Sequence, residues 1–380
     1  MIIKDESEKL PRCLKSAKEV VNEIIILDTG STDNSIQVAK EFGAKVYSFE
    51  WCNDFSVARN EALKYVTGDW VLVLDADEVL TPEIVPQIQK AIANPNTLVI
   101  NLVRQEVGAS QSPYSLVSRL FRYHAMIDDS VTQLLEKESH WQIVNLTTVA
   151  ILHDGYQSDA IASLNKLAKA QSAMESFISE NPNDPYVCSK LGGLYVQKGE
   201  TEKGIDLFKR GLQSNKIDLP TLYELHYHLG NAYARLNKPN EAVKEYQAAI
   251  AQPILPQLKL GAYNNLGSLL QTFGEYELAQ KVFKEVLTID PNFALGYYNF
   301  GMTLKGLGKL EEAIAAYEKS LNLNPNYAPV YQNLGVIFFR LGKIPESLEA
   351  FQKAIALFQT QNPKEAQRLQ KVLQEIGLNL

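Results

Sequence analysis

Glu23-Ile-Ile-Ile-Leu-Asp28-Thr-Gly-Ser-Thr-Asp33 runs a short apolar stretch rich in β-branched residues into a turn of carboxylates and hydroxyls. A continuous apolar run that ends in turn chemistry reads as a buried parallel strand. Ser31 or Asp33 then caps a helix expected over Asn34 to Phe42, and Gly43 ends it. Working outward, Lys45-Val-Tyr-Ser-Phe49 reads as a second strand, and Phe55 to Tyr65 has helical spacing that stops near Gly68. Trp70-Val-Leu-Val-Leu-Asp75 is another buried strand that ends in carboxylates. Thr81-Pro82 opens the next helix in cap-then-proline order. Leu98 to Val103 and Trp141 to Leu152 read as later strands. This βαβ alternation predicts an α/β domain with a mainly parallel sheet covered by helices.

After about residue 157 the pattern is helical alone. Leu191-Gly192, Leu229-Gly230, Leu266-Gly267, Phe300-Gly301 and Leu334-Gly335 recur at offsets of 38, 37, 34 and 34. Small residues follow at Gly204, Ala242, Ala279, Ala313 and Ser347, and aromatic ones at Phe208, Tyr246, Phe283, Tyr317 and Phe351. A helix pair with this spacing buries its apolar side only against its neighbours, which is the tetratricopeptide pattern. The expected organisation is a catalytic sheet domain over 1–156, a linking helix over 157–184, five repeats over 185–361 and a polar capping helix over 362–380. The fold class is α/β followed by an all-α solenoid.

The chain has 380 residues, 46% hydrophobic and 21% charged, an ordinary globular balance for two domains. Met1 to Tyr156 holds 14 Lys and Arg against 22 Asp and Glu, which concentrates the acidic excess there. Such a balance argues against a nucleic-acid groove. It also means that a phosphate ligand there needs a divalent cation to offset like-charge repulsion. The three cysteines, Cys13, Cys52 and Cys188, are too scattered for a disulfide scaffold or a zinc site. No apolar run approaches the length of a membrane span, and the first residues do not read as a signal peptide. A soluble, cytoplasmic protein is expected.

Ligands of open α/β sheets bind beyond the carboxyl ends of the strands. Asp28-Thr-Gly-Ser-Thr-Asp33 and Asp75-Ala-Asp77-Glu78 both stand there. In the first, Gly30 allows close backbone approach, and carboxylates and hydroxyls can read a base or a ribose. In the second, one carboxylate can face a ribose hydroxyl while the other holds Mn²⁺ or Mg²⁺ against a diphosphate. A lone Asp-x-Asp is equally well a solvated turn; two carboxylate turns at strand ends are a stronger signal.

Met1-Ile-Ile-Lys-Asp-Glu6, Leu10-Pro-Arg-Cys-Leu14, Ile26-Leu-Asp-Thr-Gly-Ser-Thr-Asp33, Ala58-Arg-Asn60, Gly68-Asp-Trp70 and Leu74-Asp-Ala-Asp-Glu78 together resemble glycosyltransferase family 2. The similarity is to its compact bacterial branch with tetratricopeptide repeats, which includes enzymes that glycosylate peptides. Arg119-Leu-Phe-Arg122 and His153-Asp-Gly-Tyr156 match later markers of that branch. The resemblance implies a GT-A fold and metal-assisted inverting transfer from a nucleotide-diphosphate sugar to a peptide, protein or glycan, with a protein partner on the repeat groove. It assigns donor binding to Asp5, Asp28, Gly30, Ser31, Asp33, Arg59, Asn60, Asp75 and Arg119, with Asp28 on the nucleobase. Metal binding falls to Asp77, Asp75 and His153.

Several residues keep bland alternatives. His153 reads equally as a histidine satisfied at the domain junction, Arg59 as a partner of Glu61 or Asp54, and Arg119 and Arg122 as surface cations. Trp51 and Trp70 read as core. Related sequences carry a His-Glu pair after the Arg-Leu-Phe-Arg segment, and that Glu is the expected base. Here Thr132-Gln133 stands near the place, and Gln cannot act as a base. Asp128, Asp129 and Glu136 are the substitute candidates. The alternative is a weakly active or non-catalytic scaffold. The first strand also ordinarily begins before the position of Met1, so either the strand is short or the chain starts further upstream.

Overall fold

The β-branched run does form a strand. In the computed structural model, which describes residues 1–52, 54–108, 113–123, 140–154 and 171–378, β2 (Ile25–Asp28) is buried along its whole length. It lies between β1 (Ile2–Ile3) and β3 (Lys45–Ser48), and both pairings are parallel. Helices α1 (Leu10–Ala17) and α2 (Ser35–Glu41) follow β1 and β2. Ile3, Leu10, Leu14, Ile26 and Ala39 form the core beneath them. Asn34 occupies the N-cap of α2 without a side-chain bond, and Asp33 Oδ1 instead accepts from the amide of Ser35 at 2.9 Å. Helix α3 (Phe55–Leu63) is capped by Asp54, which accepts from the amides of Ser56 and Val57.

The parallel sheet stops at three strands. Trp70–Leu72 forms β4, and it joins a second sheet with β5 (Glu78–Leu80), β6 (Thr97–Glu106), β7 (Tyr114–Arg122) and β8 (Gln142–His153). The order is β4-β7-β6-β8-β5; only β6 and β8 run parallel, and the other three pairings are antiparallel. The α/β reading holds, but the sheet content is mixed rather than mainly parallel. Two strands that the helix–strand alternation missed, β5 and β7, cause the difference. Helix α4 (Val85–Ile92) covers this sheet, with Ile84 and Ile88 against Ile100, Leu102, Leu120 and Ile151. Thr81 leads into a 3₁₀ turn over Pro82–Ile84, and its hydroxyl donates to Val149 O at 2.6 Å rather than capping a helix.

Arg122 ties the sheet's edge. Its guanidinium lies 4.8 Å from the Trp70 ring and 5.7 Å from the Trp141 ring, while Nε donates to Thr97 O at 2.7 Å. That arrangement makes Arg122 a structural cation, and Trp70 its platform.

The chain divides into two compact units, Met1–Ala162 and Ser163–Leu380. In the second, residues 171–180 are helical; the earlier part of the linking helix expected over 157–184 lies outside the described residues. Five helix pairs follow: α5 (Pro185–Gln197) with α6 (Thr201–Gly211), α7 (Leu219–Arg235) with α8 (Pro239–Ile250), and α9 (Leu260–Thr272) with α10 (Tyr276–Ile289). The last two are α11 (Ala294–Gly306) with α12 (Leu310–Leu323) and α13 (Ala328–Arg340) with α14 (Ile344–Gln361). Helix α15 (Pro363–Glu375) closes the array, burying Ala366, Leu369 and Leu373.

The recurring glycine and aromatic are one contact repeated. A Cβ on Gly192, Gly230, Gly267, Gly301 or Gly335 would stand 2.5–2.7 Å from the ring of Phe208, Tyr246, Phe283, Tyr317 or Phe351 respectively. The paired helices approach through that missing side chain. Gly193, one residue on, meets nothing nearer than His228 at 3.9 Å. Gly192→Ala should therefore destabilise the array by about 1–2 kcal/mol, because ring displacement outweighs the helix-propensity gain. Gly193→Ala should stabilise it by about 0.5–1 kcal/mol. Urea melts followed by circular dichroism at 222 nm check the pair, and equal signs for the two variants would refute the packing argument.

Candidate active site

The turns after β1 and β2 are laced together through backbone amides. Asp5, which holds a left-handed φ of 53°, accepts from Thr32 N at 2.7 Å and Thr32 Oγ1 at 3.1 Å. Its own amide donates to Ser31 Oγ at 3.0 Å. Asp33 Oδ2 accepts from Ser7 N at 3.0 Å. The Thr32 amide holds the Asp5 carboxyl below its ordinary range, and the Ser35 side chain does the same for Asp33. Asp28 is buried, and its carboxylate accepts from Gly30 N at 3.1 Å and Ser31 N at 3.2 Å. Gly30 has φ +102° with open space where a Cβ would stand, so the left-handed turn rather than crowding requires glycine. Of the expected donor ligands, Asp5, Ser31 and Asp33 thus build the turn, and Asp28 closes it from within.

The Asp75-Ala-Asp77-Glu78 turn leads into β5. Glu78, which the sequence reading left without a role, is the centre of this region: its side chain is fully buried. Its Oε1 accepts from Arg119 Nη2 at 2.8 Å and Arg104 Nη1 at 3.2 Å, while Oε2 accepts from Asp75 N at 3.0 Å. Arg119 also donates to Asp75 Oδ2 at 2.6 Å. A buried carboxylate persists only when paired and hydrogen-bonded, and two guanidiniums with one amide meet that condition. The Arg119 guanidinium is accordingly engaged by protein carboxylates rather than offered as a surface cation.

His153 ends β8, in register with Glu106 on β6 and with Glu78 on β5. Its Nδ1 stands 2.5 Å from Glu106 Oε2, and its Nε2 stands 3.5 Å from Asp77 Oδ2. The bond to Asp77 leads, over the opposing effect of burial, in raising the imidazole to about 9. The same bond draws the Asp77 carboxyl below its usual range. His153 is thus held between two carboxylates, Glu106 and Asp77. Metal ligation by Nε2 would require loss of its proton. Lys9 Nζ, at the start of α1, reaches Asp77 Oδ2 at 3.9 Å.

Arg59 on α3 reaches Asp75 Oδ1 at 3.9 Å; Glu61 pairs with Lys64 and Asp54 caps α3, so neither alternative partner holds it. Asn60 is exposed on the same helix. Asp5, Asp28, Gly30, Ser31 and Asp33 thus gather in the linked turns, and Arg59, Asp75, Asp77, Arg119 and His153 around the third turn. Lys9 joins the first of these turns to Asp77. Asp128, Asp129, Thr132, Gln133 and Glu136 lie outside the described residues. Among the described residues no group of three His, Cys, Asp or Glu side chains could hold a metal ion. No helix there is long and apolar enough to cross a membrane. Lys9, Arg104 and Glu106 escaped the sequence reading, and Glu78 was given no role in it. The available signal was the run Asp-Ala-Asp-Glu, and Arg104-x-Glu106 facing one side of a strand.

One chain thus joins carboxylate turns beyond strand ends to an array of stacked helix pairs. "Glycosyl transferase family 2" matches residues 1–144, and tetratricopeptide-repeat families match segments between residues 223 and 361. The chain thus carries an N-terminal glycosyltransferase family 2 domain followed by tetratricopeptide repeats, which supports glycosyl transfer in general. A TPR repeat-containing protein of Synechococcus elongatus is 39% identical over 301 residues, 77% of this chain and 75% of that protein. The SPbeta prophage-derived glycosyltransferase SunS of Bacillus subtilis is 27% identical over 229 residues, 57% of this chain and 53% of SunS. The chain thus spans about half of that relative. Among solved structures, MamA from Desulfovibrio magneticus RS-1 is 24% identical with a TM-score of 0.42, covering 47% of this chain and 98% of MamA.

Proposed function

We propose that the N-terminal unit moves a sugar from a nucleotide-diphosphate donor to a peptide, protein or glycan acceptor by inverting displacement, and that the helical array recruits a protein partner. The observation that supports this most directly is the pair of carboxylates Asp75 and Asp77, held at a strand-end turn by Arg119 and His153. In this reading Asp28 meets the nucleobase, Asp75 the ribose, and Arg59 the nucleotide. Asp77 holds Mn²⁺ or Mg²⁺ with help from Asp75. The donor set fits a hard cation bound by one or two carboxylates, with phosphate oxygens and water completing the shell. When bound, that cation offsets charge on the leaving diphosphate. The acceptor heteroatom attacks the anomeric carbon, the bond to the diphosphate breaks, and a carboxylate takes the acceptor's proton. Asp128, Asp129 and Glu136 are the candidates for that base. The compartment proposed is the cytoplasm.

The weakly active scaffold is the second reading, favoured by Gln133 where related sequences carry Glu. Calorimetric titration with uridine, guanosine and thymidine diphospho-sugars, with and without Mn²⁺, tests the donor site. Binding of one nucleobase class that weakens at least tenfold without Mn²⁺ is expected. Failure of all three to bind would overturn the donor reading, and binding without transfer to any acceptor would favour the scaffold.

A further inference from the structure

The two carboxylates of the Asp75-Ala-Asp77 turn are joined by a single chain of charged side chains. Asp75, Arg119, Glu78 and Arg104 form one half, and Glu106, His153 and Asp77 the other. Arg104 joins the halves: one guanidinium nitrogen meets Glu78 Oε1 at 3.2 Å and the other meets Glu106 Oε1 at 2.8 Å. Acidic and basic side chains alternate at every step. The path is possible because β6 lies between β7, which carries Arg119, and β8, which carries His153. Arg104 and Glu106 are two residues apart on β6 and so share one face of the sheet.

We propose that Arg104 and Glu106 are positioning residues for sugar transfer, holding Asp75 and Asp77 as one unit through Glu78 and His153. This rests on the donor-site reading of those two carboxylates. Each interior member lies between two groups of opposite charge, so its loss brings like charges together. Without Arg104, Glu78 and Glu106 face each other and Arg119 is the one cation left to Glu78 beside the Asp75 amide. Without the Glu106 charge, the Nδ1 bond of His153 falls from a charge-assisted bond to a neutral one, and the ion pair with Arg104 that fixes the acceptor is lost. Outer partners that orient the groups around a metal site typically change affinity or activity by about 10–100-fold when altered.

The test uses the full-length protein with Glu106→Gln, Arg104→Met, Arg104→Lys and Asp77→Asn. Two quantities are followed: hydrolysis of uridine, guanosine and thymidine diphospho-sugars, and the His153 Nδ1 proton signal in the ligand-free state. Glu106→Gln should lower kcat by about 10–100-fold with donor KM changed less than about threefold, and should move the His153 signal. Tryptophan fluorescence melts of Glu106→Gln should stay near wild type, which separates positioning from folding. Arg104→Lys should recover part of what Arg104→Met loses. Wild-type turnover in both Glu106→Gln and Arg104→Met, beside an inactive Asp77→Asn, would overturn the positioning role and leave the donor site standing. An Asp77→Asn protein as active as wild type would overturn the donor reading and the positioning role with it.

Discussion

Glu78→Ala is expected to destabilise the N-terminal unit by about 3–5 kcal/mol, a loss large enough to unfold a marginal domain. The reason is what the substitution leaves behind. Arg119 and Arg104 are 12% and 22% exposed, and both point a nitrogen at Glu78 Oε1. Removing the carboxylate leaves two half-buried guanidiniums facing one another, each with a single carboxylate left, Asp75 for Arg119 and Glu106 for Arg104, and takes the acceptor from the amide of Asp75. Glu78→Gln keeps an oxygen for that amide and should cost less, about 2 kcal/mol. All three tryptophans, Trp51, Trp70 and Trp141, lie in the first unit. Their fluorescence therefore reports this domain alone in the intact chain. A midpoint lowered by roughly 10 °C or more is expected for Glu78→Ala. A shift within about 2 °C would mean that the turn is held by something other than the buried carboxylate.

Legibility differed between the halves for a physical reason. In the repeats, the informative contacts are short in sequence and recur. Gly301 and Tyr317 are on successive helices of one pair, and the same partnership returns in every other pair, so spacing alone exposes it. The β2 run was equally plain, because a buried strand advertises itself as continuous apolar sequence. In the second sheet β4, β6 and β8 were expected as strands, whereas β5 and β7 were not. β7 mixes Ser115, Ser118, Arg119 and Arg122 with its apolar residues, and its identity as a strand comes from pairing with β4 and β6.

The site follows the same division. The aspartates at strand ends were visible as motifs. Glu78 was quoted beside them yet given no role, because a third carboxylate in a row reads as solvated until its partners are known. Those partners, Arg104 and Arg119, are 26 and 41 residues away. Glu106 is likewise 47 residues from His153. Pairwise charge compensation over such separations is set by strand order, which no local pattern encodes.

Asp77→Ala should lower transfer by about 10²–10³-fold, whereas Asp75→Ala should cost less. Both carboxylates belong to one turn, but they are engaged differently. Asp75 Oδ2 is taken at 2.6 Å by Arg119, and removal of its side chain leaves that guanidinium still paired with Glu78. Asp77 has looser partners, His153 at 3.5 Å and Lys9 at 3.9 Å. A divalent cation can therefore claim Asp77 by displacing two weak contacts, but must break a short charge-assisted bond to claim Asp75 Oδ2. Stabilisation of a leaving diphosphate by such a cation contributes several kcal/mol, which corresponds to the stated range at 1.36 kcal/mol per tenfold. The decisive measurement is Mn²⁺ dependence alongside rate. Asp77→Ala should need more Mn²⁺ for half-maximal turnover by tenfold or more, while Asp75→Ala should need nearly the wild-type concentration. The reverse order would move the principal metal ligand to Asp75, and equal Mn²⁺ requirements in both variants would place the cation elsewhere.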